Sequence, residues 1–292
     1  MSDTILTIWR SYRQARGYVT AQYAASPGAV VGVCLIILLV VVSLSAPFIA
    51  PYDPTTMDYN LPMHGLTARH LFGTDNFGRD VLSRVLYGYR ISLAVALGSV
   101  TVALLIGMPL GLMAGFFGGW LDDVIMRPMD ILISFPAMIL VVALAGFVGL
   151  STTVLIVSVA VINFPIVVRV MRSSALEVSR ELFVEGARAR GASAARLMLR
   201  HVLPNAMTPI LVQASILTGW AILIEAALSF IGLGTQPPNP SLGLMLSEGR
   251  MFMGEAPWIV VFPGLAIGLA VLGFNLVGDG LRTLLEPGGR GQ

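Results

Sequence analysis

The stretch GAVVGVCLIILLVVVSLSAPFIA, residues 28–50, runs 23 residues without a charged side chain. The hydrocarbon core of a bilayer needs about 20 such residues to be crossed by a helix, so this stretch argues for a membrane-spanning protein. A polar segment bearing Arg10, Arg13 and Arg16 precedes it. It is longer than the apolar region of a cleaved leader, and Pro47 follows Ser45-Ala46 where a small-residue cleavage site would end. It therefore reads as an uncleaved signal anchor.

Further apolar runs occupy 91–120, 129–149, 152–168, 208–233 and 258–278, the third and fourth spans being joined only around Leu150-Ser151. The chain thus predicts an all-α polytopic membrane protein with six transmembrane helices. An even count puts both termini on one side, and arginine tells which. With both ends inside, thirteen arginines lie on the cytoplasmic side, against Arg69, Arg79, Arg84, Arg90 and Arg250 outside. Residues 1–27 then form a cytoplasmic N-terminal segment, 28–281 the membrane domain and 282–292 a cytoplasmic tail.

Composition agrees and excludes other classes. The 292 residues are 56% hydrophobic and 12% charged, with mean hydropathy +0.83, where a soluble domain has roughly 25% charge. Every basic residue is arginine, so the chain has neither the lysine of a phosphate-binding loop nor a Schiff-base lysine, and it cannot itself be a P-loop ATPase. The lone Cys34 rules out an internal disulfide, and His64, His70 and His201 form no ligand-spaced cluster, so no metal site is expected. Net charge is only +2, with no basic stripe interleaved with aromatics, which leaves nucleic acid without a footprint.

The outer segments carry turn chemistry, Pro51-Tyr52-Asp53-Pro54 and Gln236-Pro237-Pro238-Asn239-Pro240, and should form ordered caps. Residues 79–90 place Val81, Leu82, Val85 and Leu86 at helical spacing among arginines and read as an interfacial helix, with 242–252 a weaker candidate. Gly107, Gly111 and Gly115 share a helix face that lets a second helix approach, and Gly264 with Gly268 repeats the device.

The most informative segment is the loop RVMRSSALEVSRELFVEGARARGASAARLMLRHVLPNAM, residues 169–207, too polar for lipid and too long for a connector. Helical spacing over 176–188 puts Glu177, Glu181, Glu185 and Arg188 on one face and Leu176, Phe183 and Ala187 on the other. Gly191 can end that helix, Ser193 can cap a second, and Pro204 suits the first turn of the next span. A helix merely lying on anionic headgroups would favour arginine on its polar face. Glutamates at four-residue spacing fit a protein groove better.

At these residues the chain resembles the permease subunits of ATP-binding-cassette importers, whose cytoplasmic loop reads Glu-Ala-Ala, three residues, Gly, then Leu-Pro. The match is Glu185-Gly186-Ala187, Gly191 and Leu203-Pro204, with Gly186 replacing an alanine and His201 standing where an aliphatic residue is usual. Four longer stretches resemble the second, C-type permease of the dipeptide and oligopeptide subfamily. They are FGTDNFGRDVLSRVLYGYRISL at 72–93, RPMDILISFP at 127–136, EAALSFIGLGTQPPNPS at 225–241 and FPGLAIGLAVLGFNLVGDGLR at 262–282.

The resemblance implies a type I importer fold, a second related permease, two ATPase subunits that use ATP and Mg, and an extracytoplasmic binding protein in a bacterial cytoplasmic membrane. It makes this chain a subunit without catalytic residues. The coupling loop is 172–204, with Glu181, Glu185, Gly186, Ala187, Arg188, Gly191, Leu203 and Pro204 as ATPase-coupling residues. Asp75, Arg79, Asp80, Gln236, Pro237 and Pro238 are placed at the binding-protein face, and Asn163 and Glu225 on the translocation pathway. An intramembrane carboxylate is expensive, by about 2.5 kcal/mol or more, so Glu225 should face protein or water. Its place in the family-matching stretch 225–230 favours a structural bond to the partner permease or a neighbouring helix over cargo contact, and Asn163 reads equally as packing. Asp130, Asn275 and Asp279, near span ends, read as structural. The cargo implied is a di- or oligopeptide, with nickel complexes, opines, glutathione and oligosaccharides as alternatives. An ion-coupled transporter or channel, and a membrane scaffold, are the competing classes. The chain shows no paired intramembrane carboxylates, repeated half or filter-like sequence that would favour a channel or secondary transporter.

Overall fold

The computed structural model describes residues 27–285. The N-terminal segment with Arg10, Arg13 and Arg16 and most of the C-terminal tail lie outside the described residues. In chain order the helices are α1 (Pro27–Ile49), α2 (Val81–Phe117), α3 (Gly119–Ser134), α4 (Ala137–Val148), α5 (Thr152–Val178), α6 (Leu182–Ala189), α7 (Ala194–Phe230), α8 (Leu242–Gly249) and α9 (Trp258–Leu285). Among the described residues the only β pairing is an isolated bridge between Thr74 and Asp80.

Five helices, α1, α2, α5, α7 and α9, are long and apolar enough to cross a bilayer. At 1.5 Å per residue the 23 residues of α1 span about 35 Å, just over a hydrocarbon core of about 30 Å. The expected third span, 129–149, is not one helix. It is the pair α3 and α4, bent by 93°, and counts as a sixth span only if the two are taken together. Pro136 is the cause. A proline disfavours helical backbone in the residue before it, and Phe135 sits at φ −83°, ψ 133°.

Two other boundaries differ from the expectation. The segment 79–90 is no separate interfacial helix, because α2 starts at Val81 and continues unbroken to Phe117. Asp80 caps it, accepting from the Ser83 amide at 2.8 Å and the Ser83 hydroxyl at 2.7 Å. The fourth span runs on as far as Val178, so the first ten residues of the polar loop belong to α5.

Lipid supplies no hydrophobic drive for helices to meet, so close contact and hydrogen bonds hold the spans together. The Gly107, Gly111 and Gly115 face lies against α5. A β-carbon at Gly111 would stand 2.5 Å from the Val168 carbonyl oxygen, and one at Gly115 would stand 2.4 Å from that of Arg172. The last span does not repeat the device where expected. A β-carbon at Gly268 would meet nothing within 4 Å, and one at Gly264 would come no nearer than 3.9 Å. The close crossing is instead between Gly32 of α1 and Gly273, Leu276 and Val277 of α9. On the loop side, Arg172 of α5 forks onto both carboxylate oxygens of Asp122 in α3, and Arg169 reaches Asp130 at 2.6 Å.

Candidate functional site

The loop forms helix, turn, helix, though with a different register from the one expected. Helical backbone stops at Val178 and resumes at Leu182, with Glu181 at the cap position of α6. Glu177 therefore ends α5, and the three glutamates do not share a face. Glu185 stands in the first turn of α6 and Arg188 in its last, each complementing the helix dipole. Gly191 closes α6 at φ +82°, a backbone that favours glycine. Its amide donates to the Arg188 carbonyl at 2.9 Å and the Ala192 amide to the Ala187 carbonyl at 3.2 Å, the paired bonds of a Schellman turn. Ser193 then caps α7, accepting from the Arg196 amide.

Val184 and Ala187 are the residues of α6 that face inward. Both are buried with Leu112, Met171, Ala175, Leu197, Val202, Ala206 and Ile210, and Arg188 lies over the Phe116 ring at 5.9 Å. Leu182, 82% exposed, and Phe183, 47% exposed, face out beside Glu185 and Gly186. A β-carbon on Gly186 would touch nothing, so the glycine leaves the outward face flatter without being needed for packing. Leu203 and Pro204 lie just past a π-helical turn at Leu197–Val202, inside one continuous helix rather than at its start. The missing proline N–H falls beside a turn whose hydrogen bonding is already irregular.

At the opposite end, residues 50–80 and the 231–257 segment form a cap. Arg79 Nε donates to Asp75 Oδ2 at 2.6 Å, while Arg79 Nη2 and Arg84 Nη2 converge on Glu248 Oε2 of α8 at 2.7 and 2.9 Å. His70 Nδ1 lies 2.9 Å from Asp80 Oδ1, with the Tyr52 ring stacked on the imidazole. The cap is pinned to α9 by Trp258 Nε1 donating to the Thr74 carbonyl at 3.0 Å and by Phe72 stacked on Phe262. The Thr55 hydroxyl and amide hold the Asp53 carboxyl below the ordinary carboxylate range. Asp75, Arg79 and Asp80 were placed at a docking face, yet their side chains are 2–3% exposed. Their charges pair inside the cap. Gln236, Pro237 and Pro238 stand exposed on it.

Within the spans, Glu225 of α7 is fully buried. Its Oε2 accepts from the Ser92 hydroxyl of α2 at 2.6 Å and its Oε1 from the Ser229 hydroxyl at 2.8 Å, which is the geometry of an interhelical tie. Asn163 of α5 is equally buried, and among the described residues neither its amide nitrogen nor its oxygen has a hydrogen-bond partner. The structure does not bring the two together by any hydrogen bond.

Residues 107–291 match the family model described as binding-protein-dependent transport system inner membrane component. The chain belongs to that family. Residues 18–64 of this permease match the N-terminal transmembrane domain of oligopeptide transport permease C. It is 42% identical over 259 residues to the dipeptide transport system permease protein of Alkalihalophilus pseudofirmus, covering 89% of this chain and 85% of the relative. A di/tripeptide transport system permease of Pseudomonas aeruginosa is also 42% identical, over 91% of this chain and 89% of its own. The glutathione transport system permease of Pectobacterium atrosepticum is 39% identical, over 97% and 92%. Among solved structures, the permease resembles a chain of the MetNI methionine ABC transporter in an inward-facing form. The TM-score is 0.58 at 21% identity, covering 69% of this chain and 96% of that one, a likeness of fold.

As a member of this family the permease is a membrane subunit of an ABC importer, and ATP hydrolysis belongs to separate subunits. Reasoning from sequence missed Leu182 and Phe183 as the outward face of α6 and Glu248 as the keystone of the cap. The first could have been suspected from three consecutive apolar residues, Leu182-Phe183-Val184, more than one inward stripe can absorb. Nothing local marks Glu248, which meets its partners across more than 160 residues of chain.

Proposed function

We propose that this permease forms half of a translocation pathway for di- or oligopeptides in a bacterial cytoplasmic membrane, with both termini in the cytoplasm. Its cap would receive a peptide-loaded binding protein, with Gln236, Pro237 and Pro238 on the contact face. A second, related permease would complete the pathway, and two ATPase subunits using ATP and Mg would drive it. The single observation that carries the reading is α6. Two inward residues, Val184 and Ala187, fasten it to the ends of α2, α5 and α7, while Leu182, Phe183 and Glu185 stand outward, exposed among the described residues. An exposed apolar pair beside a carboxylate, held on a stiff base, suits insertion into a groove of an ATPase subunit.

The arginine bias supports the orientation, and the identity to dipeptide and di/tripeptide permeases supports the cargo. Glutathione, itself a small peptide with a free amino group, is the second reading, supported by the glutathione permease relatives. The test is uptake of labelled alanyl-alanine by vesicles holding both permeases, both ATPases and the binding protein. Uptake should require ATP and the binding protein, and Leu182→Glu with Phe183→Glu should abolish ATPase co-purification and uptake together while the permease still inserts. Uptake driven by an ion gradient without the ATPases would overturn the reading.

A further inference from the structure

On the α6 side of the molecule a cleft of about 620 Å³ opens between α5, α7 and α9. Ser174 and Glu177 of α5, Thr208 and Gln213 of α7, and Asp279 of α9 line it, with Asn205 anchored on the His201 carbonyl at 2.7 Å. Arg282 also lines it, so the lining carries two carboxylates to one guanidinium. Among the described residues neither Glu177 nor Asp279 has a hydrogen-bond or ion-pair partner for its carboxylate, in contrast to Asp122 and Asp130 on the same side, which Arg172 and Arg169 neutralise. Half-buried Gln213 carries an amide in the apolar length of α7, and among the described residues that amide makes no hydrogen bond. An unbonded amide at that depth is costly unless it faces a water-filled space or a ligand.

The lining sorts by chemistry. Hydroxyls and amides, which both donate and accept, match the N–H and C=O of a peptide group, while two unpartnered carboxylates match a primary ammonium. We propose that this cleft is a binding site on the α6 side for cargo that carries a free ammonium group next to amides. Glu177 and Asp279 hold the ammonium, and Thr208 and Gln213 hold the adjoining peptide groups. The proposal rests on the importer reading above and assigns the site to this chain alone.

Val212 lines the same cleft and Cys34 is the chain's single cysteine, which makes occupancy measurable. In the assembled complex with Cys34→Ser and Val212→Cys, a charged maleimide should label the new thiol. Saturating alanyl-alanine should slow that labelling, and N-acetyl-alanyl-alanine, which has no ammonium, should not. Adding Glu177→Gln and Asp279→Asn should raise the alanyl-alanine concentration needed for protection about tenfold or more, as expected for losing charge-assisted hydrogen bonds. The two changes are read singly as well, and ATPase co-purification reports that each complex has assembled. No labelling at Val212→Cys, equal protection by both peptides, or undiminished protection in the assembled variants would overturn the site. ATP-dependent uptake by the parent complex is measured alongside. Uptake without protection removes the site and leaves the importer reading standing, whereas loss of ATP-dependent uptake removes the importer reading itself.

Discussion

At the scale of single residues, Glu225 is a fully buried carboxylate within the spans, and both of its oxygens are satisfied. Both carboxylate oxygens accept from serine hydroxyls, one on its own helix and one on α2. Glu225→Ala leaves the Ser92 hydroxyl buried without an acceptor and should destabilise the permease by about 2–3 kcal/mol in thermal unfolding of the purified protein. Glu225→Gln keeps one acceptor oxygen and should cost about 1 kcal/mol, in line with interhelical hydrogen bonds in membranes. A double-mutant cycle with Ser92→Ala should show coupling, and strict additivity would mean that the tie contributes nothing. Asn163 is the opposite case, buried with nothing to bond, and sequence alone cannot separate the two, since both read as one polar residue in an apolar run.

At the scale of elements, the glycines divide sharply by what lies opposite them. Gly111→Ala would put a methyl group 2.5 Å from a backbone oxygen of α5, which cannot yield without moving the helix. It should cost about 1–3 kcal/mol, whereas Gly268→Ala meets open space and should be neutral or slightly stabilising, since alanine favours a helix by about 1 kcal/mol. Comparing the two unfolding midpoints in one detergent checks this. Local chemistry made several features legible. The charge-free run that became α1, the turn at Gly191 and the cap at Ser193 each depend on a few adjacent residues. The break between α5 and α6 did not show, because charged residues at four-residue spacing persist from Glu177 to Glu185 through the turn at Ser179–Glu181. Nor did the facing of α6, since Leu182, Phe183 and Val184 are all apolar and periodicity does not say which of them meets the rest of the chain.

At the scale of the whole molecule, the cap is bound to the spans by ion pairs between residues far apart in sequence. Glu248 serves two guanidiniums that are 1–3% exposed. Glu248→Ala leaves Asp75 as the one carboxylate for both buried guanidiniums and should cost about 3 kcal/mol, since it leaves buried positive charge undercompensated. Limited proteolysis should then cut within the 236–255 segment of the cap while leaving α5 to α7 intact. Survival of the cap at the parent rate would show that the aromatic contacts of Phe72 and Trp258 suffice alone. The five long spanning helices, their order and the polar loop were readable because bilayer thickness imposes a length on every crossing, whereas the 93° bend that splits the expected third span was not. The cap's network was not, because each member looks like an ordinary surface charge until its partner arrives from another loop.

α7 runs from beside the Schellman turn to Phe230, just past the Glu225 tie, about 55 Å in one helix. Between its ends it is pinned against α9, where the Ser215 hydroxyl donates to the Phe274 carbonyl at 2.7 Å. A rod held at an inner point is a lever with a fulcrum, its arms here about 32 Å toward α6 and about 22 Å toward the cap. A tilt of about 10° would swing the α6 end by ~5–6 Å and the cap end by ~4 Å in the opposite sense, given those arm lengths. On the coupling proposed above, a push at Leu182 and Phe183 would arrive at the cap with its direction reversed.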